Sequence, residues 1–99
     1  MTVDIKKNGA RLDVAIGGRL DTLTSPELHQ ALSQQSLNDV TEIVMDLGEL
    51  EYISSAGLRV LLSAQKTMHK QGAMKVKNAN EMILEIFEVT GFSDILTIE

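Results

Sequence analysis

The stretch from Glu42 to Leu62 constrains the fold most, because it combines an apolar run, a polar loop and the beginning of a helical pattern. Residues 42–47 include three consecutive apolar side chains, which predicts an interior parallel strand covered on both faces. Ser54 and Ser55 stand where the helical pattern begins. The unpaired N–H groups of a helix N-terminus favour an anion, including a phosphate on a serine. The two serines are therefore either helix caps or the position of a switch.

An antiparallel hairpin is predicted at the start of the chain. Apolar and polar residues alternate over 2–7 and again over 11–17, and Asn8-Gly9 between them suits a two-residue turn with positive φ at both positions. Gly17-Gly18 is expected to end the second strand. The hairpin places an antiparallel pair at one side of the sheet.

The rest of the chain alternates helices and strands. The first predicted helix is opened by Ser25-Pro26-Glu27 and ends around 35–36, and a strand follows over 42–47. The second helix runs from the serines to Gly72 and is followed by a strand over 74–77. The third helix is capped by Asn78 or Asn80 and ends at Gly91, before a short strand over 95–98. This order predicts one α/β domain over residues 1–99. Its mixed β-sheet carries the hairpin, then parallel strands joined by right-handed βαβ crossovers and packed with helices.

Composition narrows the class of protein. The chain has no cysteine, which excludes disulfides and thiolate metal sites, and its net charge of −5 disfavours nucleic acid as a direct partner. No apolar stretch approaches the roughly 18 residues of a membrane span, and no secretion signal is visible. We expect a cytoplasmic protein that is not inserted in a membrane. The sequence does not determine its oligomeric state, for which we expect a monomer.

The patterns that mark enzymes are missing. His29 and His69 fall on helices expected to face solvent, without the spacing of a metal site. The chain has no phosphate-binding glycine loop and no nucleophile elbow around its serines. We therefore expect no catalytic activity, no metal and no cofactor.

Asp21 and Asp46 each follow or end a predicted strand. The carboxyl ends of strands in open α/β sheets collect binding sites, so the two carboxylates can converge at one sheet edge. In the alternative interpretation Asp21 forms an Asx turn, Asp46 ends its strand, and nothing binds. The pattern leaves both alternatives open.

Ser54 and Ser55 exceed what a helix cap requires, since one serine suffices. Ala56 and Gly57 leave room for close backbone approach. Arg59 lies at i+4 from Ser55, so a phosphate on Ser55 would gain from the helix N-terminus and from Arg59 together. The spacing makes Ser55 a candidate switch.

The stretch around the two serines resembles the signature of the STAS family, the bacterial anti-sigma factor antagonists. The residues that carry the resemblance are Asp46-Leu47, Ile53-Ser54-Ser55-Ala56-Gly57-Leu58 and Val60-Leu61-Leu62. Residues 18–28, 70–72 and 89–92 also resemble that family. The resemblance implies a STAS-like fold and reversible phosphorylation of Ser55 by a partner anti-sigma factor that is also an ATP-dependent serine kinase. It further implies that the unphosphorylated protein binds the kinase and frees the sigma factor, and that a serine phosphatase resets it.

Two positions depart from the family pattern. Ser54 falls where an aspartate is usual, and Ala56 where a second hydroxyl is usual. The partner-binding surface implied by the resemblance comprises Asp21, Thr22, Ser54, Ser55, Ala56, Gly57 and Arg59. Two alternatives remain: a non-phosphorylated STAS scaffold subunit of a lipid-transport or transporter-associated complex, and a nucleotide-binding domain with Asp21 and Asp46 near the serine loop.

Overall fold

A computed structural model describes Met1–Glu99 as a five-stranded sheet with three α-helices. The elements are β1 (Thr2–Asn8), β2 (Arg11–Leu20), α1 (Ser25–Ser33), β3 (Glu42–Ile53), α2 (Ser55–His69), β4 (Ala73–Lys77), α3 (Glu81–Thr90) and β5 (Thr97–Ile98), with a 3-10 turn over Phe92–Asp94. The strand order is β1-β2-β3-β4-β5, in which only the β1–β2 pair is antiparallel. This confirms the predicted fold class.

All three helices cover the same face of the sheet. Each crossover moves one strand along the sheet in the same direction, and right-handed crossovers of that kind place every helix on one side. Alternate strand residues are accordingly buried, among them Leu12, Val14, Ile43, Met45, Met74 and Val76. Val44 and Lys75, on the opposite face, are only half-buried. The prediction that β3 is covered on both faces is wrong, because no helix lies on the face that carries Val44.

The strands β2 and β3 are both longer than predicted. β2 continues past Gly17-Gly18 and β3 continues through residues 48–53, because residues 17–20 and 49–53 form a parallel ladder that ends with Leu20 opposite Ile53. The register shifts on either side of Gly17-Gly18, and Gly18 adopts φ 81° there. A bulge of this kind lets the strand bend without ending. The expected strand ends at 17 and 47, and the expected loop over 48–53, are wrong.

Two predicted turn assignments are also corrected. The hairpin loop is Gly9-Ala10, with Asn8 already paired with Arg11, and only Gly9 has a positive φ (63°). Glycine at the first loop position is one of the two favoured two-residue turns. α1 begins after Thr24, so Ser25 is not its cap; Ser25 is buried and its hydroxyl donates to the Asp21 carbonyl. The helix also ends at Ser33, before the predicted 35–36.

The remaining helix ends follow local signals with one exception. Asn80 caps α3 by accepting from the Ile83 amide (2.9 Å), and Gly91 ends it in the left-handed conformation with φ 82°. Gly72 does not have a positive φ, so it is not the left-handed stop that was predicted. A side chain at Gly72 would instead collide with the backbone of Thr41. Close packing, and not helix termination, requires this glycine.

Candidate functional site

The N-terminus of α2 separates the roles of the two serines. Ser54 is the cap: its backbone is extended and its Oγ accepts from the Gly57 amide at 3.4 Å. Ser55 is the first helical residue, it is exposed, and its hydroxyl is hydrogen-bonded to no other group of the chain. The capping interpretation therefore accounts for Ser54 and leaves Ser55 without a structural role.

Gly57 brings this helix end against the end of β2. A side chain there would lie 2.8 Å from Cγ of Leu20 and 2.9 Å from Cγ1 of Ile53, well inside van der Waals contact. The Ser54 amide also donates to the Leu20 carbonyl at 2.9 Å. Gly57 is thus buried, and the room it leaves is filled by the chain's own β2. Its contribution to the site is to hold the serines beside the loop that follows Leu20.

The loop after β2 is fixed by reciprocal hydrogen bonds. Asp21 Oδ1 accepts from the amides of Leu23 (3.0 Å) and Thr24 (3.1 Å), which is an Asx turn. Thr24 Oγ1 accepts from the Asp21 amide (2.9 Å) and donates to the Arg19 carbonyl (2.7 Å). Thr22, at the tip, is exposed. A short rigid loop therefore stands beside the α2 N-terminus.

Asp21 and Asp46 do not converge. Asp46 lies within β3 opposite Ala15, whereas Asp21 follows the last residue of β2, roughly 15–20 Å further along the strand at about 3.3 Å per residue. Asp46 Oδ1 accepts from the Gly48 amide (2.9 Å) and from Asn78 Nδ2 (3.1 Å). Asp21 forms the Asx turn of the second sequence interpretation, whereas Asp46 does not end its strand as that interpretation expected. The nucleotide-binding alternative loses the carboxylate pair on which it depended.

Cationic side chains flank the serines without touching them. Arg59 is exposed one turn into α2 and forms no ion pair. The Arg19 guanidinium lies 4.4 Å from the centre of the Tyr52 ring and 3.7 Å from Asp21 Oδ2. α2 has no acid in its first turn, whereas α1 and α3 each have one. The first turn of α2 therefore contributes no carboxylate to offset the positive end of the helix.

Sequence reasoning missed three residues at this site: Arg19, Leu23 and Tyr52. Arg19 and Tyr52 are opposite each other only because β2 and β3 pair past their predicted ends. Leu23 is 85% exposed on the rigid loop, an unusual position for a large apolar side chain. The signal that was available was Leu23 itself, an apolar residue inside a segment expected to be a polar loop.

The Asp21 loop gives a pH-dependent prediction. Hydrogen bonds from Thr24 and Leu23, with the nearby Arg19 charge, hold the pKa of Asp21 below its ordinary value of 3.8. A carboxyl whose pKa is lower when folded stabilises the protein above pH 3.8, and this contribution is lost as pH falls through the folded pKa. Asp21→Asn is therefore expected to be less stable than the wild type at neutral pH, with a difference that shrinks below pH 3.8.

Urea unfolding of both proteins at neutral and acidic pH measures this difference in the free energy of unfolding. Asp94→Asn, at an exposed carboxylate without a hydrogen-bond partner, is the matched control and is expected to behave as the wild type. A stability difference for Asp21→Asn that stays constant with pH would contradict the interpretation.

No three His, Cys, Asp or Glu side chains lie close enough together to hold a metal ion. None of the three helices is both long and apolar enough to cross a membrane.

The comparisons with known proteins agree with this architecture. The family model described as "Mlab, STAS domain" matches residues 3–97. The chain is 30% identical to an anti-sigma-B factor antagonist of Bacillus subtilis, covering 99% of this chain and 90% of that one. An anti-sigma factor antagonist from Mycobacterium paratuberculosis superposes with a TM-score of 0.87 at 22% identity, covering 98% and 83% of the two chains.

A third comparison is with a protein solved in a modified state. The Bacillus cell fate determinant SpoIIAA in its phosphorylated form superposes with a TM-score of 0.77 at 15% identity, covering 99% of this chain and 91% of that one. At that identity the likeness concerns the fold alone. With a family model that matches nearly all of its length, the chain belongs to the STAS domain family.

Proposed function

We propose that this protein is an anti-sigma factor antagonist, and that phosphorylation of Ser55 controls its binding to an anti-sigma factor serine kinase. The observation that carries this is the exposed, unengaged hydroxyl of Ser55 beside a serine already used as the cap. The names of the relatives support the antagonist role, and the phosphorylated SpoIIAA structure supports a phosphorylated state for this fold.

The chemistry belongs to the partners, and this chain contributes the acceptor. Ser55 Oγ attacks the γ-phosphorus of ATP held by the kinase, the new O–P bond forms as the bond to ADP breaks, and the hydroxyl proton passes to a base on the kinase. A serine phosphatase restores the hydroxyl by hydrolysis. The chain needs neither a cofactor nor a direct contact with nucleic acid in this scheme, which operates in the cytoplasm.

The α2 N-terminus is suited to hold the product. A phosphate on Ser55 carries about −1.5 to −2 charges and would meet the uncompensated helix end and Arg59 one turn away. The same charge lies on an exposed rim that a bound kinase would have to desolvate. Phosphorylation therefore leaves the free chain stable and disfavours the complex, as a switch requires.

Ser54 in place of the family aspartate changes charge more than structure. Serine and aspartate are about equally good helix caps, so the geometry of the helix start is conserved. What is lost is a negative charge next to the phosphate acceptor. The neutral cap repels the product less, and it also removes one charge that a kinase can use to recognise the site.

Intact-mass analysis after incubation with the kinase and ATP tests the proposal. The wild-type protein is expected to gain one phosphate, mapped to Ser55 by peptide sequencing. Ser54→Ala is expected to gain it as well, at a stability cost of about 1 kcal/mol for the lost cap, whereas Ser55→Ala gains none. A phosphate on Ser54, or no phosphate on the wild type, would contradict the assignment of Ser55.

The second candidate function is a non-phosphorylated scaffold subunit of a larger complex. Two observations favour it: the neutral Ser54, and a matching family model that is described as an Mlab STAS domain and not as an antagonist. Under this alternative the same surface binds a partner permanently. A wild-type chain that binds its partner equally well before and after ATP treatment, and gains no phosphate, would select it.

A further inference from the structure

The C-terminal half of α2 borders a groove that the proposed function does not use. The groove has a volume of about 560 Å³ and is lined by Leu62, Gln65, Lys66, His69, Lys70 and Ile95. Ile95, which follows α3, is 45% exposed, and Leu62 is half-buried beside it. The groove therefore has an apolar base and a basic rim.

The basic rim is unpaired within the chain. α2 contains no acidic residue, and neither Lys66 nor Lys70 takes part in any of the ion pairs of the protein. Gln65 Oε1 is shielded from solvent and accepts no hydrogen bond, although buried polar atoms in proteins nearly always have a partner. The groove therefore has the composition of a surface that binds an acidic and apolar partner.

The outward face of α3 has the opposite character. Glu81, Glu85 and Glu88 form one exposed stripe at i, i+4 and i+7, and none of them has an ion-pair partner. Met82 and Val89 flank this stripe and are 47% and 75% exposed. α3 contains no basic residue. Its free face is thus acidic and apolar, the complement of the basic and apolar groove.

We propose that the occupant of the groove is α3 of a second copy of this chain, in a two-fold pair with each α3 in the other's groove. Charge complementarity points to this occupant, because the acidic stripe of α3 matches the unpaired Lys66 and Lys70, which also stand at the negative C-terminal end of α2. A chain's own α3 cannot enter its own groove, since Ile83 and Phe87 anchor it in the core. An amphipathic helix lying in a groove is a common mode of protein recognition.

This pairing goes beyond the proposed function and leaves it free to operate. Lys66 follows Ser55 by three turns of α2, which places the groove about 16 Å from the switch. A kinase bound at the α2 N-terminus therefore does not compete for the groove. The pairing is an alternative to the sequence-based expectation of a monomer, which stays a prediction.

The expected association is weak. Exposed ion pairs contribute little each, and the apolar contact consists of a few side chains, so we expect a dissociation constant on the order of 10–100 µM. Because the attraction is between exposed charges, added salt is expected to weaken it.

Sedimentation velocity over a concentration series tests the pairing with charge reversals on exposed side chains. Each of two double variants, measured alone, is expected to self-associate at least about tenfold more weakly than the wild type. The two variants are Lys66→Glu/Lys70→Glu and Glu85→Lys/Glu88→Lys. An equimolar mixture of the two variants restores both contacts with matched charges and is expected to pair as the wild type does. Lys6→Glu/Lys77→Glu, on the open face of the sheet, makes the same change in net charge as Lys66→Glu/Lys70→Glu and is expected to have no effect on self-association.

Circular dichroism confirms that each variant is folded before it is compared. A wild-type chain that remains monomeric at the highest concentrations would overturn the pairing and leave the groove to an acidic segment of another protein. Equal weakening by Lys6→Glu/Lys77→Glu and by Lys66→Glu/Lys70→Glu, without recovery in the mixture, would show that net charge and not this groove governs the association. Neither result bears on Ser55, whose phosphorylation is measured separately.

Discussion

Ser55→Asp is expected to bind the cognate anti-sigma factor kinase at least about a hundredfold more weakly than the wild-type protein. Ser55 lies on the exposed rim of α2, so a docked kinase would have to desolvate a carboxylate there without a fixed partner. Truncated or unpaired charges at interfaces cost several kcal/mol, and a loss of 3 kcal/mol is more than a hundredfold in affinity. Titration calorimetry with the ADP-bound kinase, which cannot phosphorylate the wild type, measures both constants.

Two matched variants separate the switch from general effects of charge. Ser55→Ala removes the hydroxyl without adding charge, so it is expected to bind as the wild type does and to remain bound when ATP is added. Ser54→Asp places the same carboxylate one residue earlier, at the cap that accepts from the Gly57 amide, and is expected to retain binding. Equal affinities for wild type and Ser55→Asp would refute the switch.

Arg59 sets how strongly the added charge is felt. The guanidinium lies one turn from Ser55 and has no ion-pair partner, so it can partly neutralise a carboxylate there. Ser55→Asp/Arg59→Ala is therefore expected to bind the kinase more weakly than Ser55→Asp alone. If Arg59→Ala by itself abolishes binding, Arg59 is a contact residue and its role as a neutralising charge is lost.

The order of the elements could be predicted from the sequence because their signals are local. Ser54, Asn80 and Gly91 mark helix ends through hydrogen bonds and backbone angles that involve only the next few residues. The ends of β2 and β3 could not be predicted in the same way. Residues 48–53 begin with a glycine and carry two glutamates, and they are extended because residues 17–20 pair with them across the sheet.

The residues of the candidate site differ in the same way, since some could be predicted from local spacing and others depend on long-range pairing. Ser55 and Arg59 are neighbours on one helix, so their spacing is visible in the sequence. Arg19 against Tyr52, and Gly57 against Leu20, depend on how β2 and α2 lie together in space. Asp21 and Asp46 were predicted to lie together and do not. The prediction took Asp46 as the end of its strand, whereas β3 continues for seven residues beyond it.

Gly72→Ala is expected to lower the free energy of unfolding by about 3 kcal/mol, and the melting temperature by more than about 10 °C. The added Cβ would lie 1.9 Å from the Thr41 carbonyl oxygen and 2.7 Å from its carbon. Both are backbone atoms, so no side-chain rotation relieves the contact.

Thr41 cannot move away without loss of other bonds. Its amide donates to the Ala10 carbonyl (2.8 Å) and its carbonyl accepts from the Ala73 amide (3.0 Å), which ties together the starts of β2, β3 and β4. Gly48→Ala is the matched control, because its Cβ would meet side-chain atoms and no backbone, with Asp46 Oδ1 at 3.2 Å and Asn78 Cβ at 3.6 Å. Urea unfolding that shows equal losses for the two variants would mean that Thr41 yields, and that the junction of the three strands is softer than its hydrogen bonds imply.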